Sequence, residues 1–329
     1  MNDERPAPAV PSKVFVTGAS GFIGRALAVR LRELGAEVGG VDLRADPANG
    51  VVEGNTTDPG PWAGALDGVD TVIHTAAIVG MVAPYDLAWE VNVLGTRRVL
   101  EAAKAAGVRR FVHLSSVAAF GFEFPDRVDE TYPCRVTGMS TYHDTKVNSE
   151  AVVLAAHASG EMEVTVIRPT DVYGPGSVWV REPLALIKSG QMMLPDGGRG
   201  VFAVVYIDNL VDGMILAMSS EAAAGHIFTL GDAEAVTCAE YFGRLAAMAG
   251  GKVRTMPAWL ATRLLGAVGA VQRRLGLSSE LSAAMMMLLN RPGAYSIEKA
   301  RTMLGYEPLV SFDEGMRRTE EWARGEGLI

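Results

Sequence analysis

Two short groups of residues, roughly 120 positions apart, have the types and spacing that chemistry requires. The first is a glycine-rich turn at Thr17–Gly24, directly after an apolar run. The second places the phenol of Tyr142 and the ammonium of Lys146 four residues apart, on one face of a helix. A turn of the first kind can hold a dinucleotide pyrophosphate, and a phenol beside an ammonium can move a proton. Together they predict a site that passes a hydride and a proton between a nicotinamide and an alcohol.

The glycine-rich turn carries Gly18, Gly21 and Gly24 on a GxxGxxG spacing. Glycines there permit a tight strand-to-helix turn whose backbone approaches a pyrophosphate, while the helix N-terminus presents free N–H groups. The triplet can also be an ordinary turn before a helix, but its place directly after the first predicted strand favours the binding interpretation. The cofactor contacts predicted from this turn are Gly18, Ser20, Gly21, Phe22, Ile23 and Gly24.

A carboxylate at the end of the second predicted strand indicates which dinucleotide is bound. Asp42 stands 18 residues after Gly24, where a carboxylate accepts hydrogen bonds from the adenosine ribose hydroxyls and repels a 2′-phosphate. The sequence therefore predicts NAD rather than NADP. Arg44 has the charge to bind a phosphate instead, although a solvated side chain is the simpler interpretation. Asn55 and Thr56 are expected to border the adenine.

The pair Tyr142 and Lys146 is predicted to do the proton chemistry. A free tyrosine, with a pKa near ~10, is a poor base at neutral pH, and a neighbouring ammonium is expected to lower that pKa. Lys146 is also expected to hold the nicotinamide ribose. Ser116 ends a strand that approaches the site and can hydrogen-bond the substrate oxygen. A tyrosine and a lysine at this spacing also occur by chance on amphipathic helices, so the pair counts only together with its neighbours.

The elements that must position these residues alternate between strand and helix patterns, which predicts a Rossmann-type, doubly wound parallel sheet of the α/β class. Strands are predicted at 13–17, 37–42, 71–74, 110–115 and 163–168, and helices at 22–34, 87–106 and 142–157. We expect an NAD-binding domain at 12–175 and a smaller, mostly helical substrate-binding domain at 176–329. Segments near 203–232 are expected to return to the first domain.

Composition excludes several other classes of protein. A net charge of -8 and a pI near 5.3 argue against a nucleic-acid surface. Cys134 and Cys238 lie far apart without metal-ligand spacing, so we expect no metal and a reducing, cytoplasmic compartment. His113 alternates with apolar residues and is expected to be a packed histidine. Residues 1–12 lack an apolar signal core, and arginines interrupt the apolar stretch 256–275, so no membrane span is expected.

These motifs occur together in an order that resembles the extended short-chain dehydrogenase/reductases of the NAD-dependent epimerase/dehydratase superfamily. The resemblance covers nearly everything from Lys13 to the C-terminus. It rests on Thr17–Gly24, Asp42, His74-Thr75-Ala76-Ala77, Asn92 in VNVLGT, Leu114-Ser115-Ser116, Tyr142–Lys146 and the segment RPTDVYG at 168–174. Their joint presence in this order is highly specific.

The resemblance implies roles for individual residues. Ser116, Tyr142 and Lys146 would be the catalytic set, with Asn92 at a structural and proton-relay position. Ser116 is preferred to Ser115 because it stands five residues before Gly121, the usual spacing in the family. The further cofactor contacts that it implies are Asn55, Thr56, Thr75, Ala76, Ala77, Ser115, Tyr142, Lys146, Pro169, Thr170 and Val172. A homodimer through the helices at 87–106 and 142–157 is also implied.

The sequence leaves two classes of small-molecule substrate open. Nucleotide-sugar members of the family need cations for the diphosphate, and they often carry an arginine just before a strand that resembles VVYIDN. The matching segment 201–209 has none, although Arg199 lies upstream and Arg291-Pro292-Gly293 resembles an arginine segment of those members. The run at 295–301 and the apolar segment that begins at Pro257 resemble the 3β-hydroxysteroid dehydrogenase-like branch.

The predicted function is therefore hydride transfer between NAD and a secondary alcohol or ketone, hydrophobic and hydroxysteroid-like. The alternative is a UDP-hexose 4-epimerase or dehydratase that uses the same three residues, and a non-catalytic NAD-sensing scaffold is disfavoured because all three are present. We expect a mostly apolar substrate pocket with one or two cations at most, walled by residues after Tyr173 and by the segments 259–275 and 281–289. Convergence of Arg181, Arg199 and Arg291 on the cleft would favour the epimerase.

Overall fold

The protein is described by a computed structural model, in which residues 9–329 are described except 81–82, 139, 262 and 264–282. The strands up to residue 173 are β1 (Lys13–Thr17), β2 (Glu37–Asp42), β3 (Val51–Glu53), β4 (Thr71–His74), β5 (Arg110–Leu114), β6 (Glu163–Pro169) and β7 (Asp171–Tyr173). Strands β4 and β5 are buried at every residue. Buried and exposed residues therefore do not alternate along these two strands. Such continuous burial is typical of a parallel sheet with both faces covered.

The helices that follow or precede these strands are α1 (Phe22–Glu33), α2 (Tyr85–Trp89), α3 (Thr96–Ala105), α4 (Thr141–Ala158), α5 (Val178–Lys188), α6 (Ile207–Ser219), α7 (Cys238–Met248), α8 (Ala283–Leu289), α9 (Glu298–Leu304) and α10 (Phe312–Gly325). The later strands are β8 (Met193–Pro195), β9 (Val201–Phe202), β10 (Val204–Tyr206), β11 (Ile227–Leu230), β12 (Val236–Thr237) and β13 (Arg254–Met256). Among the described residues, no helix combines the length and the apolarity that crossing a bilayer requires.

The central sheet has the order β11-β6-β5-β4-β1-β2-β3, and all of its pairs are parallel. This confirms the predicted doubly wound sheet. The order reverses at β1, where Thr17 pairs with Val41 on one side and with His74 on the other. The carboxyl ends of β1 and β4 therefore open the crevice in which such sheets bind their ligands.

Two apolar layers cover the sheet. Val14 and Val16 of β1 point to a core shared with Leu27 of α1 and Leu210 of α6. Phe15 points to the opposite core, which Val99 of α3 and Val153 of α4 complete. The pleat of one strand thus supplies both layers, and the site residues on α4 are fixed to the sheet by this second core.

The predicted helix at 87–106 is found as a longer helical segment with an irregular turn. It begins at Tyr85, two residues earlier, and a π-helical turn at Glu90–Gly95 separates α2 from α3. Such turns often mark functional sites. Here the turn carries Asn92.

The second half of the chain contributes to the central sheet. β11 pairs in parallel with β6, and α6 packs against α1. Three small sheets, β7 with β10, β9 with β12 and β8 with β13, lie outside the central sheet. Of the apolar segments predicted to wall the substrate pocket, 259–275 and 281–289, the larger part lies outside the described residues.

Candidate active site

The glycine-rich turn joins β1 to α1 and fits a pyrophosphate. Gly18 has φ +69° and donates its N–H to Val41 O at 2.9 Å. A Cβ on Gly24 would lie 2.2 Å from Gly18 O, so the turn closes only with glycine there. Helix α1 begins after Gly21 with no side-chain cap and no acidic residue in its first turn. Its first N–H groups, including those of Phe22 and Ile23, are therefore left for an anion.

Asp42 lies at the carboxyl end of β2, next to this turn. Its Oδ2 accepts from Ser20 N at 2.9 Å and its Oδ1 from Leu43 N at 2.7 Å. Each carboxylate oxygen keeps a further lone pair, so the group can also accept from a ribose diol. Arg44 is exposed on the same connection.

The two residues predicted to border the adenine lie in different environments. Asn55 is exposed, and its Oδ1 accepts from Thr57 N at 2.9 Å. Thr56 is buried, and a Cβ on Gly95 would lie 3.2 Å from its Oγ1. Thr56 therefore packs against the π-helical turn, and Asn55 faces solvent.

The segment after β4 lies directly on the glycine-rich turn. A Cβ on Gly18 would lie 2.9 Å from Ala76 Cα, and Thr75 Oγ1 donates to Thr17 O at 2.7 Å. Ala77, the next residue, is half-buried. These contacts leave little room beside the glycine-rich turn, so a small residue is required at Ala76.

Asn92 joins that segment to α4. Its Nδ2 donates to Ile78 O at 3.0 Å and to Thr145 Oγ1 at 3.1 Å, and its Oδ1 accepts from Ile78 N at 2.7 Å. Thr145 stands next to Lys146 on α4. The buried amide therefore fixes the distance between the cofactor side of the site and the helix of Tyr142.

His74 was given no role by sequence reasoning, yet it connects three elements of the site. Its Nδ1 lies 2.8 Å from Thr17 Oγ1 and its Nε2 lies 2.9 Å from Thr96 Oγ1. Thr96 Oγ1 donates its proton to Asn92 O at 2.7 Å, so it must accept from His74. The imidazole therefore carries its proton on Nε2 and accepts at Nδ1. Its one signal in the sequence is a polar residue at the end of a buried apolar strand.

A second histidine stacks on the first, beneath the site. The rings of His74 and His113 lie 5.7 Å apart at 19°, and His113 Nε2 lies 3.0 Å from Ser149 Oγ. Burial, and then the charge of Lys146, lower the pKa of His74 to about 3 and the pKa of His113 well below its ordinary value. Both rings are neutral at any working pH, which agrees with the expectation of a packed His113.

Tyr142, Ser116 and Lys146 meet where β5 ends and α4 begins. The Ser116 hydroxyl lies close enough to the Tyr142 phenol to lower its pKa, and Ser116 Oγ accepts from Ala118 N at 3.1 Å. Lys146 Nζ lies 5.7 Å from the Tyr142 ring centroid and donates to Leu114 O at 2.7 Å. The structure therefore brings the three predicted catalytic side chains together.

The sequence predicted that the neighbouring ammonium lowers the pKa of Tyr142. For the protein side chains alone this prediction is wrong. Burial raises the pKa of Tyr142 to about 12, the bond from Ser116 opposes this, and the charge of Asp171 adds to it. Burial also lowers the pKa of Lys146 to about 8, against the attraction of Glu150. The lysine thus does not produce a phenolate by itself, because desolvation disfavours both charges.

Ser115 and Ser116 have separate surroundings. Ser115 Oγ donates to the buried carboxylate of Glu150, which Arg168 holds through Nε–Oε1 and Nη2–Oε2 bonds of 2.9 and 2.6 Å. Ser115 is therefore engaged in a network under the site, and Ser116 is the serine beside Tyr142.

The segment predicted to contact the nicotinamide end leaves β6 and crosses to β7. Pro169 ends β6, and Thr170 N donates to Leu230 O at 2.9 Å. Val172 O accepts from Ser177 Oγ at 2.9 Å. The backbone of this segment is thus fixed from two sides, and its contact with the nicotinamide stays a prediction.

The three arginines whose convergence would favour a sugar nucleotide lie apart. Arg181 is exposed and stacks over Trp322 at 4.7 Å, and Arg199 is exposed. Arg291 is buried in an ion pair with Asp171. The structure therefore does not bring these three arginines together, and the predicted apolar pocket stays a prediction.

The sequence profile described as "NAD dependent epimerase/dehydratase family" matches residues 14–231. A "3 beta-hydroxysteroid dehydrogenase/Delta 5-->4-isomerase" from Mycobacterium tuberculosis is 32% identical over 332 residues, covering 92% of this chain and 88% of the relative. A "2-alkyl-3-oxoalkanoate reductase" from Stenotrophomonas maltophilia is 29% identical, covering 93% and 98%.

Among solved structures, "MoeE5 in complex with UDP-glucose and NAD" superposes with a TM-score of 0.76 at 25% identity, covering 95% of this chain and 99% of that one. The fold is thus shared with a structure that holds both UDP-glucose and NAD.

Proposed function

Because the chain belongs to the NAD dependent epimerase/dehydratase family, we propose that it is an NAD-dependent oxidoreductase that interconverts a hydrophobic secondary alcohol and its ketone. The observation that carries the proposal is the meeting of Tyr142, Ser116 and Lys146 beside the glycine-rich turn. A phenol, a hydroxyl and an ammonium in this arrangement serve proton transfer to and from a substrate oxygen. The relatives named for hydroxysteroid and 3-oxoalkanoate chemistry support an apolar substrate.

The residues present fit NAD. The first turn of α1 would receive the pyrophosphate, Asp42 the adenosine ribose, and Lys146 the nicotinamide ribose. NAD, when bound, supplies the hydride acceptor and, in its oxidised form, a positive charge that favours a nearby phenolate.

The protein's own side chains then handle the proton and the substrate oxygen. With a pKa of about 12, the Tyr142 phenol is protonated at neutral pH, the state that donates to a ketone oxygen. Ser116 donates to the same substrate oxygen and orients it. The opposite direction requires the phenolate form of Tyr142, whose oxygen takes the alcohol proton and becomes the neutral phenol.

A nucleotide-sugar 4-epimerase or dehydratase is the second candidate, because the superposed enzyme structure holds UDP-glucose and the same three residues would serve. The burial of Arg291 against Asp171 weighs against it, because this cation is already paired with a carboxylate and is not left for a diphosphate.

A substrate screen separates the two. NADH absorbance is followed with NAD and hydroxysteroids, 3-hydroxy fatty acids or long-chain secondary alcohols, with Tyr142→Phe as the inactive control. UDP-glucose is incubated in parallel and its epimer is measured by chromatography. NADH formation with an apolar alcohol is the expected result. Epimerised UDP-glucose without NADH formation from any alcohol would assign the second function instead.

We also propose a homodimer through the helical segment 85–105 and α4, in a reducing compartment such as the cytoplasm. Tyr85 and Leu87 are 47% and 52% exposed on α2, which is more apolar surface than a solvated helix presents. Cys134 and Cys238 are free thiols, which supports the compartment.

A further inference from the structure

A buried ion pair joins the start of β7 to the segment that follows α8. Arg291 is 4% exposed and Asp171 is 9% exposed, and Arg291 Nη2 donates to Asp171 Oδ2. Arg291 Nη1 donates to Tyr295 Oη at 3.3 Å and Nε donates to Leu288 O at 3.2 Å. The guanidinium also lies 5.8 Å from the ring centroid of Phe202. The cation is thus enclosed, and its charge is met by one carboxylate of the same chain.

The pair lies at the carboxyl edge of the sheet, where β6 ends beside β5, the strand that leads to Ser116. Asp171 opens β7, two residues after the end of β6, and its charge acts on the Tyr142 phenol. Tyr295, which holds Arg291 from the other side, packs against Phe120 and Phe124 with ring centroids 5.5 and 4.9 Å apart. Both phenylalanines follow Ser116 by a few residues. The ion pair therefore lies between β7 and the segment that carries Ser116.

We propose that Asp171 is a specificity-determining residue: as the internal counter-ion of Arg291, it takes the position that an anionic group of a substrate would need. This inference rests on the proposed function, because it concerns which alcohols reach the same site. Alcohols without a phosphate are accepted, and nucleoside diphosphate sugars are excluded.

The physical reason is the cost of burying charge. A guanidinium in an apolar enclosure binds an anion strongly, since the alternative is an unpaired buried charge. While the Asp171 carboxylate fills that role, a phosphate at the same place would meet a second negative charge and would lose its hydration as well. Burial lowers the pKa of Arg291, but Asp171 and Tyr295 outweigh it and raise the pKa above its ordinary value, so the arginine stays charged.

The substitution Asp171→Asn tests this at nearly constant side-chain volume. It removes the negative charge and leaves Arg291 in place, which converts the pair into an anion site. A buried guanidinium gains at least one charge-assisted hydrogen bond from a phosphate, so affinity should rise by about tenfold or more.

The readout is the dissociation constant for pyrophosphate and for UDP, measured by calorimetry on protein saturated with NAD, so that the glycine-rich turn is occupied. Wild type should bind both weakly, and Asp171→Asn should bind them about tenfold tighter. The double variant Asp171→Asn/Arg291→Met should return to the wild-type value. Asp232→Asn is the matched control, since Asp232 is a half-buried carboxylate whose partners are Tyr206 N and Asn209 Nδ2 rather than an arginine.

Equal gains in Asp171→Asn and Asp232→Asn would overturn the proposal, and so would tighter binding that persists in the double variant. If Asp171→Asn does not fold, the comparison of wild type with Arg291→Met decides. If wild type and Arg291→Met bind UDP equally weakly, Arg291 is already neutralised by Asp171 and the proposal is supported. If wild type binds UDP distinctly more tightly than Arg291→Met, the proposal is refuted. All of these experiments measure binding, so they test the role of Asp171 even if the protein oxidises none of the alcohols tried.

Discussion

At the scale of single residues, Lys146 shows how burial sets the charge of a side chain. Its ordinary pKa of 10.5 falls to about 8, chiefly because burial penalises the ammonium. Between these two values the unfolded chain binds more protons than the folded one, so stability rises with pH in that window. The penalty is complete below about pH 8 and is gone above about pH 10.5.

We therefore expect Lys146→Met to be more stable than wild type near pH 7, by about 3 kcal/mol at most, and to lose that advantage towards pH 10.5. Urea unfolding of both proteins without NAD, from pH 7 to pH 10.5, measures the difference. Lys188→Met, on the exposed end of α5, corrects for the loss of a lysine as such. A difference that does not change with pH would mean that Lys146 is not desolvated.

The phenol of Tyr142 is predicted to matter for turnover and not for cofactor affinity. Tyr142→Phe should lower kcat by about 10²- to 10⁴-fold, the usual contribution of a general acid–base, with little change in the Kd for NAD. Tyr132→Phe is the control, because the Tyr132 hydroxyl donates only to Glu123 O at 2.9 Å, away from Lys146. A Tyr142→Phe protein that retained most of its kcat would remove the proton-transfer role.

Asp42 is predicted to set the preference for NAD. Wild type should bind NAD more tightly than NADP, and Asp42→Ser should reduce the ratio of the two Kd values by about tenfold, the value of one lost charge-assisted hydrogen bond. Arg44→Ala is the matched variant on the same connection. If Arg44→Ala weakened NADP binding strongly and wild type preferred NADP, Arg44 would be the phosphate ligand.

At the scale of elements, the glycine-rich turn depends on a contact that has no space for a methyl group. Gly24→Ala would place a Cβ 2.2 Å from the backbone oxygen of Gly18, so the turn must open. We expect lower stability and a weaker Kd for NAD by at least about tenfold. Gly243→Ala in α7 is the control, because nothing lies within 4 Å of its Cβ position, and it should stabilise the protein by about 0.5–1 kcal/mol. Equal thermal shifts for the two variants would contradict this account.

Elements whose signal is local were predictable. Strands β1, β2 and β4 begin and end at the predicted residues, because each is a short apolar run bounded by turn residues. The π-helical turn at Glu90–Gly95 was not predictable, since it depends on the fit of Gly95 against Thr56, 39 positions earlier in the chain.

The same distinction holds in the site. Spacing placed Tyr142, Ser116 and Lys146 together, because a strand end and a helix start fix them. Burial decides the pKa of Tyr142, and a pattern of residue types does not give burial. The pairing of Asp171 with Arg291 joins positions 120 residues apart, so no local pattern contains it.

At the scale of the whole molecule, the proposed dimer gives a test on surface residues. Leu87→Glu should prevent association, because it places a charge in the apolar surface of α2. Leu309→Glu is the control, since Leu309 is also exposed but lies just before α10. Sedimentation velocity should show dimers of wild type and of Leu309→Glu, and monomers of Leu87→Glu. A monomeric wild type, or a dimeric Leu87→Glu, would exclude this interface.

The return of β11 to the central sheet has a consequence for biosynthesis. The outer edge of β6 stays unpaired until β11 has left the ribosome, about 60 residues later. At about 5–20 residues per second, this lasts from about 3 to 12 s. During that interval the nascent chain presents an open apolar strand edge to other chains. Translation speed between residues 170 and 230, and the chaperones that meet the chain there, therefore govern the yield of folded enzyme.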